Sequence, residues 1–226
     1  MATVEEFAET GLEPPVRGFL HRPDEPSGDA LVLTHSAGAN CRAPLLVAVA
    51  ETLAGLGVTV LRCDLPFRQE RATGPPLRTA SRDQAGLKAA VEAMRRKVER
   101  MPARVFLGGH SYGGRMGSML AAEEPGLVDG LLLLSYPLHP PRRPEQLRTG
   151  HFPRLQTPAL FISGTRDPFG SRAELEAAIA LIPARTRLVM VEGAGHELMS
   201  KRSQGEVMRV VAEAFREFAG AVGDGG

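Results

Sequence analysis

The 226-residue sequence contains no tryptophan, two tyrosines and two cysteines. Cys41 and Cys63 cannot build a disulfide framework, and they show neither metal-site spacing nor a C-x-x-C signature. An excess of one charge is also missing. Lys and Arg together number 27 against 26 Asp and Glu, for a net charge of +1, so no global field draws the chain to nucleic acid or an anionic membrane. Only three of the basic residues are lysines (Lys88, Lys97, Lys201). Arginine suits carboxylates and phosphates, but a bias this even along the chain reads as codon usage. Apolar runs such as Leu45 to Ala50 and Leu131 to Leu134 fall far short of the ~20 residues that span a bilayer. The opening Met1-Ala-Thr-Val-Glu-Glu lacks the basic-then-apolar profile of a secretory signal. These absences exclude a collagen, a coiled coil, a disulfide scaffold and a membrane protein. The expectation is a soluble, cytoplasmic chain with no membrane or nucleic-acid partner.

What is present is ordinary for a globular domain: 43% hydrophobic and 23% charged residues. No repeat or linker divides the chain, so a single domain over 1–226 is expected, with about 221–226 as a flexible tail. Short runs apolar on both faces suit a buried parallel sheet. They are Ala30–Thr34, Val58–Arg62, Arg104–Gly108, Leu131–Ser135, Ala159–Ser163 and Arg187–Val191. Helical patterns lie between them, near Pro44–Leu56, Arg82–Met101, Gly113–Ala122, Arg172–Leu181 and Gln204–Ala219. Ser81 with Gln84, and Ser203 with Glu206, read as capping boxes. Leu87, Val91, Met94, Val98 and Met101 make one apolar helix stripe, with Arg95, Arg96, Lys97 and Arg100 at its C-terminal end. The alternation predicts an α/β fold: an open, doubly wound, mostly parallel sheet flanked by helices. In such sheets ligands bind beyond the carboxyl ends of the strands.

Chemistry-bearing residues cluster at those ends. Gly109-His110-Ser111-Tyr112-Gly113 is a G-x-S-x-G turn after a strand and before a helical segment. Such a turn exposes the serine Oγ and aims a helix N-terminus at developing negative charge. Serine needs a base to take its proton. His196, in Gly193-Ala194-Gly195-His196, follows the last strand, and Asp167, in Thr165-Arg166-Asp167-Pro168, follows the one before. Ser111, Asp167, His196 is the serine–acid–histidine order of α/β hydrolases. After the first core strand, Thr34-His35-Ser36-Ala37-Gly38-Ala39-Asn40 offers small residues whose N–H groups can face an oxyanion. Ala37, with Ser36 as an alternative, supplies one expected donor and Tyr112 the other. His35 is expected to anchor this loop. Phe67 and Tyr136 are candidate substrate-binding residues, although a capped turn and a rigid connector explain their segments equally well. Cys63 reads as a small buried hydrophobe. His21, His139 and His151 have no metal-ligand spacing, so neither a metal nor a cofactor is expected.

At these residues the sequence resembles the α/β-hydrolase superfamily over nearly its whole length. More narrowly, it resembles a small capless group with a dienelactone-hydrolase-like core, which includes a subunit of the non-specific lethal histone-acetyltransferase complex. The narrower likeness rests on residues 34–40 and 108–115, on Tyr136-Pro137-Leu138-His139-Pro140, on Pro144-Glu145-Gln146-Leu147-Arg148, and on Ser163-Gly164-Thr165-Arg166-Asp167. Many relatives have His-Gly at His35-Ser36 and Ser-Met at Ser111-Tyr112. Dienelactone hydrolases proper use a cysteine nucleophile. The resemblance implies hydrolase chemistry without a cofactor. The proline-rich stretch before the Ala159–Ser163 strand is too short for a multi-helix lid, so an open site for a small ester or acyl substrate is expected. Two rivals use the same fold: an acyltransferase with the same triad, and a non-catalytic protein-binding module. The chain is expected to act as a monomer or homodimer.

Overall fold

The computed structural model describes residues 2–76, 80–97 and 102–223. Its strands are β1 (Thr3–Glu9), β2 (Val16–Arg22), β3 (Asp29–Thr34), β4 (Thr59–Cys63), β5 (Arg104–His110), β6 (Gly130–Leu134), β7 (Ala159–Gly164) and β8 (Thr186–Val191). The helices are α1 (Pro44–Ala54), α2 (Pro66–Glu70), α3 (Ala80–Lys97), α4 (Tyr112–Glu123), α5 (Arg172–Ile179) and α6 (Gln204–Gly223). All eight strands form one sheet in the order β1-β2-β4-β3-β5-β6-β7-β8. From β4 to β8 every neighbouring pair is parallel, and β1 and β2 add an antiparallel edge.

The parallel centre follows from composition. Every residue of β4, β6 and β7 is buried, because aliphatic runs without alternation must be covered on both faces. One apolar layer packs β3, β5, β6 and β7 against α3, α4 and α5, and the other packs the sheet against α1 and α6. In the second layer Phe106 of β5 meets the Phe215 ring of α6 edge-on, 5.2 Å between centroids. The one charged residue inside β4, Arg62, is satisfied: its Nε donates to His21 Nε2 at 2.8 Å, and Nη1 donates to the Cys41 carbonyl.

Several local expectations change. The outer antiparallel strands β1 and β2 and the short helix α2 were not expected. α3 begins at Ala80, so Ser81 lies inside the helix and is not its cap. Leu87, Val91 and Met94 are buried as the stripe requires, whereas Val98, Arg100 and Met101 lie outside the described residues. Ser203 directly precedes α6, and its hydroxyl accepts the Ser200 N–H at 2.9 Å. A complete capping box stands instead on α5, between Ser171 and Glu174. α6 continues to Gly223, so residues 221–223 are helical and not a tail, and 224–226 lie outside the described residues. Residues 135–158, where a cap could be inserted, hold only a three-residue 3-10 turn at Phe152–Arg154. Among the described residues, no helix is long and apolar enough to cross a membrane.

Candidate active site

The β3 and β5 carboxyl ends lie side by side where the strand order reverses, the switch point at which open α/β sheets bind ligands. Ser111 sits there between β5 and α4 with φ 51° and ψ −112°. A left-handed φ in a non-glycine residue costs on the order of 1–3 kcal/mol, which the surroundings must offset. Two glycines make the turn possible. A Cβ on Gly113 would come within 2.6 Å of the His35 carbonyl, and one on Gly109 within 2.5 Å of the Gly113 and Gly114 backbone. Just past β5, the Ser111 N–H donates to the Leu134 carbonyl at 2.8 Å, which ties the turn to β6.

The loops after β7 and β8 meet this turn. Gly164 at the end of β7 lets the 194–195 backbone approach so closely that a Cβ there would lie 2.2 Å from the Ala194 carbonyl. The Arg166 N–H then donates to that carbonyl at 2.9 Å. His196 Nε2 lies 2.8 Å from Ser111 Oγ, and its Nδ1 lies 2.9 and 3.0 Å from the two carboxylate oxygens of Asp167. With Nδ1–H donating to the carboxylate, Nε2 is free to accept the serine proton. Asp167 is itself fixed by the Phe169 N–H at 2.9 Å. The Phe169 ring stacks on the His196 imidazole at 4.1 Å, and His110 Nε2–H donates to the His196 carbonyl at 2.9 Å. The structure thus brings Ser111, Asp167 and His196 into one hydrogen-bonded chain.

The 34–40 loop forms the facing wall. His35 is fully buried, donates from Nδ1 to the Ser36 carbonyl at 2.8 Å and accepts the Leu65 N–H on Nε2 at 3.1 Å. Burial lowers its pKa, and both nitrogens are committed to the neutral ring, so it anchors the loop. Arg68 of α2 holds the loop from below. It donates to the carbonyls of Ala39 and Ala37, each at 2.8 Å, and to those of Gly74 and Arg71 at 3.0 and 3.1 Å. Tyr112 is the first residue of α4, so its N–H belongs to the helical turn that lacks internal acceptors. Its hydroxyl donates to Asp83 at 2.7 Å. Burial and Asp83 together push the phenol pKa up.

An open cavity of about 620 Å³ lies over Ser111. Ser36, Ala37, Tyr112 and His196 line it, together with Arg115, Pro137, Arg148, Phe169 and Glu197. Phe67 and Tyr136 do not. Phe67 is in the core, edge-on to the Tyr112 and His35 rings. Tyr136 is 1% exposed, packs against Phe152 and Phe161, and donates its hydroxyl to the Arg148 carbonyl at 2.7 Å. Both expectations of substrate contact are therefore corrected: these side chains support the wall from behind. The residues missed were Arg115, Arg148 and Phe169; Arg68, which the sequence pairs with Phe67 as a possible pocket residue, instead clamps the 34–40 loop. For Arg115 a signal existed, since a residue four positions beyond the nucleophile on a helix shares its face. Among the described residues, no group of three His, Cys, Asp or Glu is placed to hold a metal ion. Cys41 and Cys63 are buried free thiols.

Solved structures of similar fold include three hydrolase-like proteins. A dienelactone hydrolase from Anabaena variabilis matches with TM-score 0.77 and 23% identity, over 96% of this chain and 98% of that one. A serine hydrolase without lid from Xanthomonas campestris gives 0.75 and 18%, over 95% and 94%. Est1E from Butyrivibrio proteoclasticus gives 0.74 and 18%, over 96% and 99%. At such identities the likeness establishes the architecture, a hydrolase fold without a cap. The sequence itself matches the family described as alpha/beta hydrolase domain over residues 27–222, and the chain belongs to that family.

Proposed function

We propose that the protein is a serine hydrolase that cleaves a carboxylic ester or a related acyl bond. The carrying observation is the Ser111–His196–Asp167 chain, with the serine on a strained turn and its Oγ 2.8 Å from the histidine. In this reading the Ser111 Oγ attacks the acyl carbon while its proton passes to His196 Nε2. Asp167 holds the histidine tautomer and stabilises the imidazolium that forms. The Ala37 and Tyr112 N–H groups receive the oxyanion, a contribution worth about 10²–10³-fold per donor in comparable sites. His196 then protonates the departing alcohol as the C–O bond breaks, leaving an acyl-serine. Water, deprotonated by the same nitrogen, attacks that ester, releases the acid and restores Ser111. No cofactor enters this cycle. The open cavity fits a small substrate, and the two buried free thiols fit a reducing compartment such as the cytoplasm.

A fluorophosphonate probe tests the reading directly. Wild type should be labelled and Ser111→Ala should not, with hydrolysis of short-chain 4-nitrophenyl esters lost in the same variant. If folded wild type resists the probe and hydrolyses none of these esters, the hydrolase reading is wrong and a binding module takes its place.

A further inference from the structure

Most interior arginines have evident partners. Arg62 reaches His21 and the Cys41 carbonyl, Arg68 reaches four carbonyls, and Arg104 is bidentate to Asp29 at 2.8 Å. Arg115 and Arg148, which line the cavity over Ser111, do not follow this pattern. Among the described residues neither has a carboxylate within ion-pair distance, and Arg115 Nε is buried with no hydrogen-bond partner. Among the described residues, the only side-chain hydrogen bond that Arg148 makes is a 3.3 Å donation from Nη1 to the Pro137 carbonyl.

Both side chains have fixed roots. The Arg115 N–H donates to the Ser111 carbonyl at 3.0 Å, one helical turn from the nucleophile. The Arg148 backbone donates to the Leu138 carbonyl at 2.8 Å and accepts the Tyr136 hydroxyl at 2.7 Å. Partial burial, and then the charge of Arg115, make the protonated form of Arg148 costlier than usual. Two like charges on one half-dry wall are relieved by an anion between them, and a guanidinium fork matches a carboxylate in shape. Glu197 lines the same cavity and is exposed. Its negative charge disfavours a dianionic phosphate and leaves room for a singly charged group.

We infer that Arg115 and Arg148 form a carboxylate-binding subsite beside Ser111, so that the substrate is an ester carrying a free carboxylate on its acyl or its alcohol side. The inference rests on the serine-hydrolase reading, but its test separates the two. Calorimetry on Ser111→Ala protein compares two acids with their methyl esters: mono-4-nitrophenyl adipate for the acyl side, and 4-acetoxybenzoate for the alcohol side. At least one acid should bind about tenfold or more tighter than its methyl ester, the scale of a charge-assisted bidentate contact. Adding Arg115→Gln or Arg148→Gln should remove most of that preference. Arg209→Gln, on the exposed face of α6, should leave it. A salt series needs no arginine substitution: binding of the acid, and not of the methyl ester, should weaken from about 50 to about 500 mM NaCl. Equal binding in both pairs, or a preference indifferent to both arginines and to salt, overturns the subsite. If the acid is preferred but wild type hydrolyses neither member of the pair, the subsite stands and the hydrolase reading falls.

Discussion

Asp167 carries two loads that an amide cannot carry together. Its Oδ1 accepts the Phe169 N–H while the carboxylate also accepts the His196 Nδ1–H. In Asp167→Asn the carbonyl oxygen keeps the Phe169 bond and the NH2 group faces His196. That favours the tautomer with the proton on Nε2, which cannot accept from Ser111. Turnover of 4-nitrophenyl acetate should fall by about 10⁴, the cost of the wrong tautomer in a serine protease, with KM little changed. Steady-state kinetics on the purified variant checks this, and activity within tenfold of wild type removes Asp167 from the mechanism. Ser111, Asp167 and His196 were legible because each follows a strand at the same sheet edge, where chain order and topology suffice to bring them near. Phe67 and Tyr136 were not, because lining a cavity depends on where a side chain points. Tyr136 follows Ser135, whose φ is 46°, and its ring lies in the core with Phe152 and Phe161.

At the scale of elements, the five-residue helix α2 and the 34–40 loop act as one unit through Arg68. Arg68 is 6% exposed and spends its guanidinium on four carbonyls, two of them, at Ala37 and Ala39, in the loop that carries the expected Ala37 donor. Arg68→Met keeps much of the stem packing but leaves those carbonyls unpaired. Stability should drop by about 1–3 kcal/mol, as for other orphaned buried acceptors. The more telling outcome is kinetic: kcat should fall about 10–100-fold, less than outright loss of an oxyanion donor, with KM nearly constant and slower fluorophosphonate labelling. A purely structural clamp would lower stability and leave kcat of the folded fraction unchanged, which guanidinium unfolding beside active-site titration separates. α2 escaped notice because five residues carry no helical period, and its first residue is Pro66. β1 and β2 escaped for a different reason. β1 is mostly exposed and carries Glu5, Glu6 and Glu9 among its seven residues, while β2 interrupts its apolar pattern with Gly18 and with a buried histidine. Outer strands such as these rely on ladder hydrogen bonds, which leave little trace in hydrophobic periodicity. The central strands, buried on both faces, could be read within a residue or two for the opposite reason.

Across the whole molecule, four of the six histidines are buried in a form that disfavours the proton. His21 in β2 and His151 in the 135–158 connection are each lowered to about 4, mainly by burial and then by nearby arginine charge. His35 and His110 are lowered too, chiefly by burial. Geometry agrees for His21: a guanidinium can only donate, so Nε2 must accept from Arg62 and cannot carry a proton. The unfolded chain, whose histidines titrate near 6.5, therefore binds more protons than the folded one between about 6.5 and 4. Stability is fully present above that window and is lost as pH falls through it. At pH 5 the linkage amounts to about 2 kcal/mol for each of His21 and His151. Against a typical total of roughly 5–15 kcal/mol, two such residues remove a substantial part before most carboxylates begin to protonate. Urea midpoints should be level from pH 8 to 7 and fall steadily from about 6.5 to 5. Replacing His151 by Gln, which can still bond the Ser118 hydroxyl that now lies 2.8 Å from Nε2, should make that fall shallower even if the midpoint at pH 8 is lower. A midpoint flat down to pH 5 would mean that these rings accept protons in the folded state, and that the buried neutral histidines do not tune the molecule's acid stability.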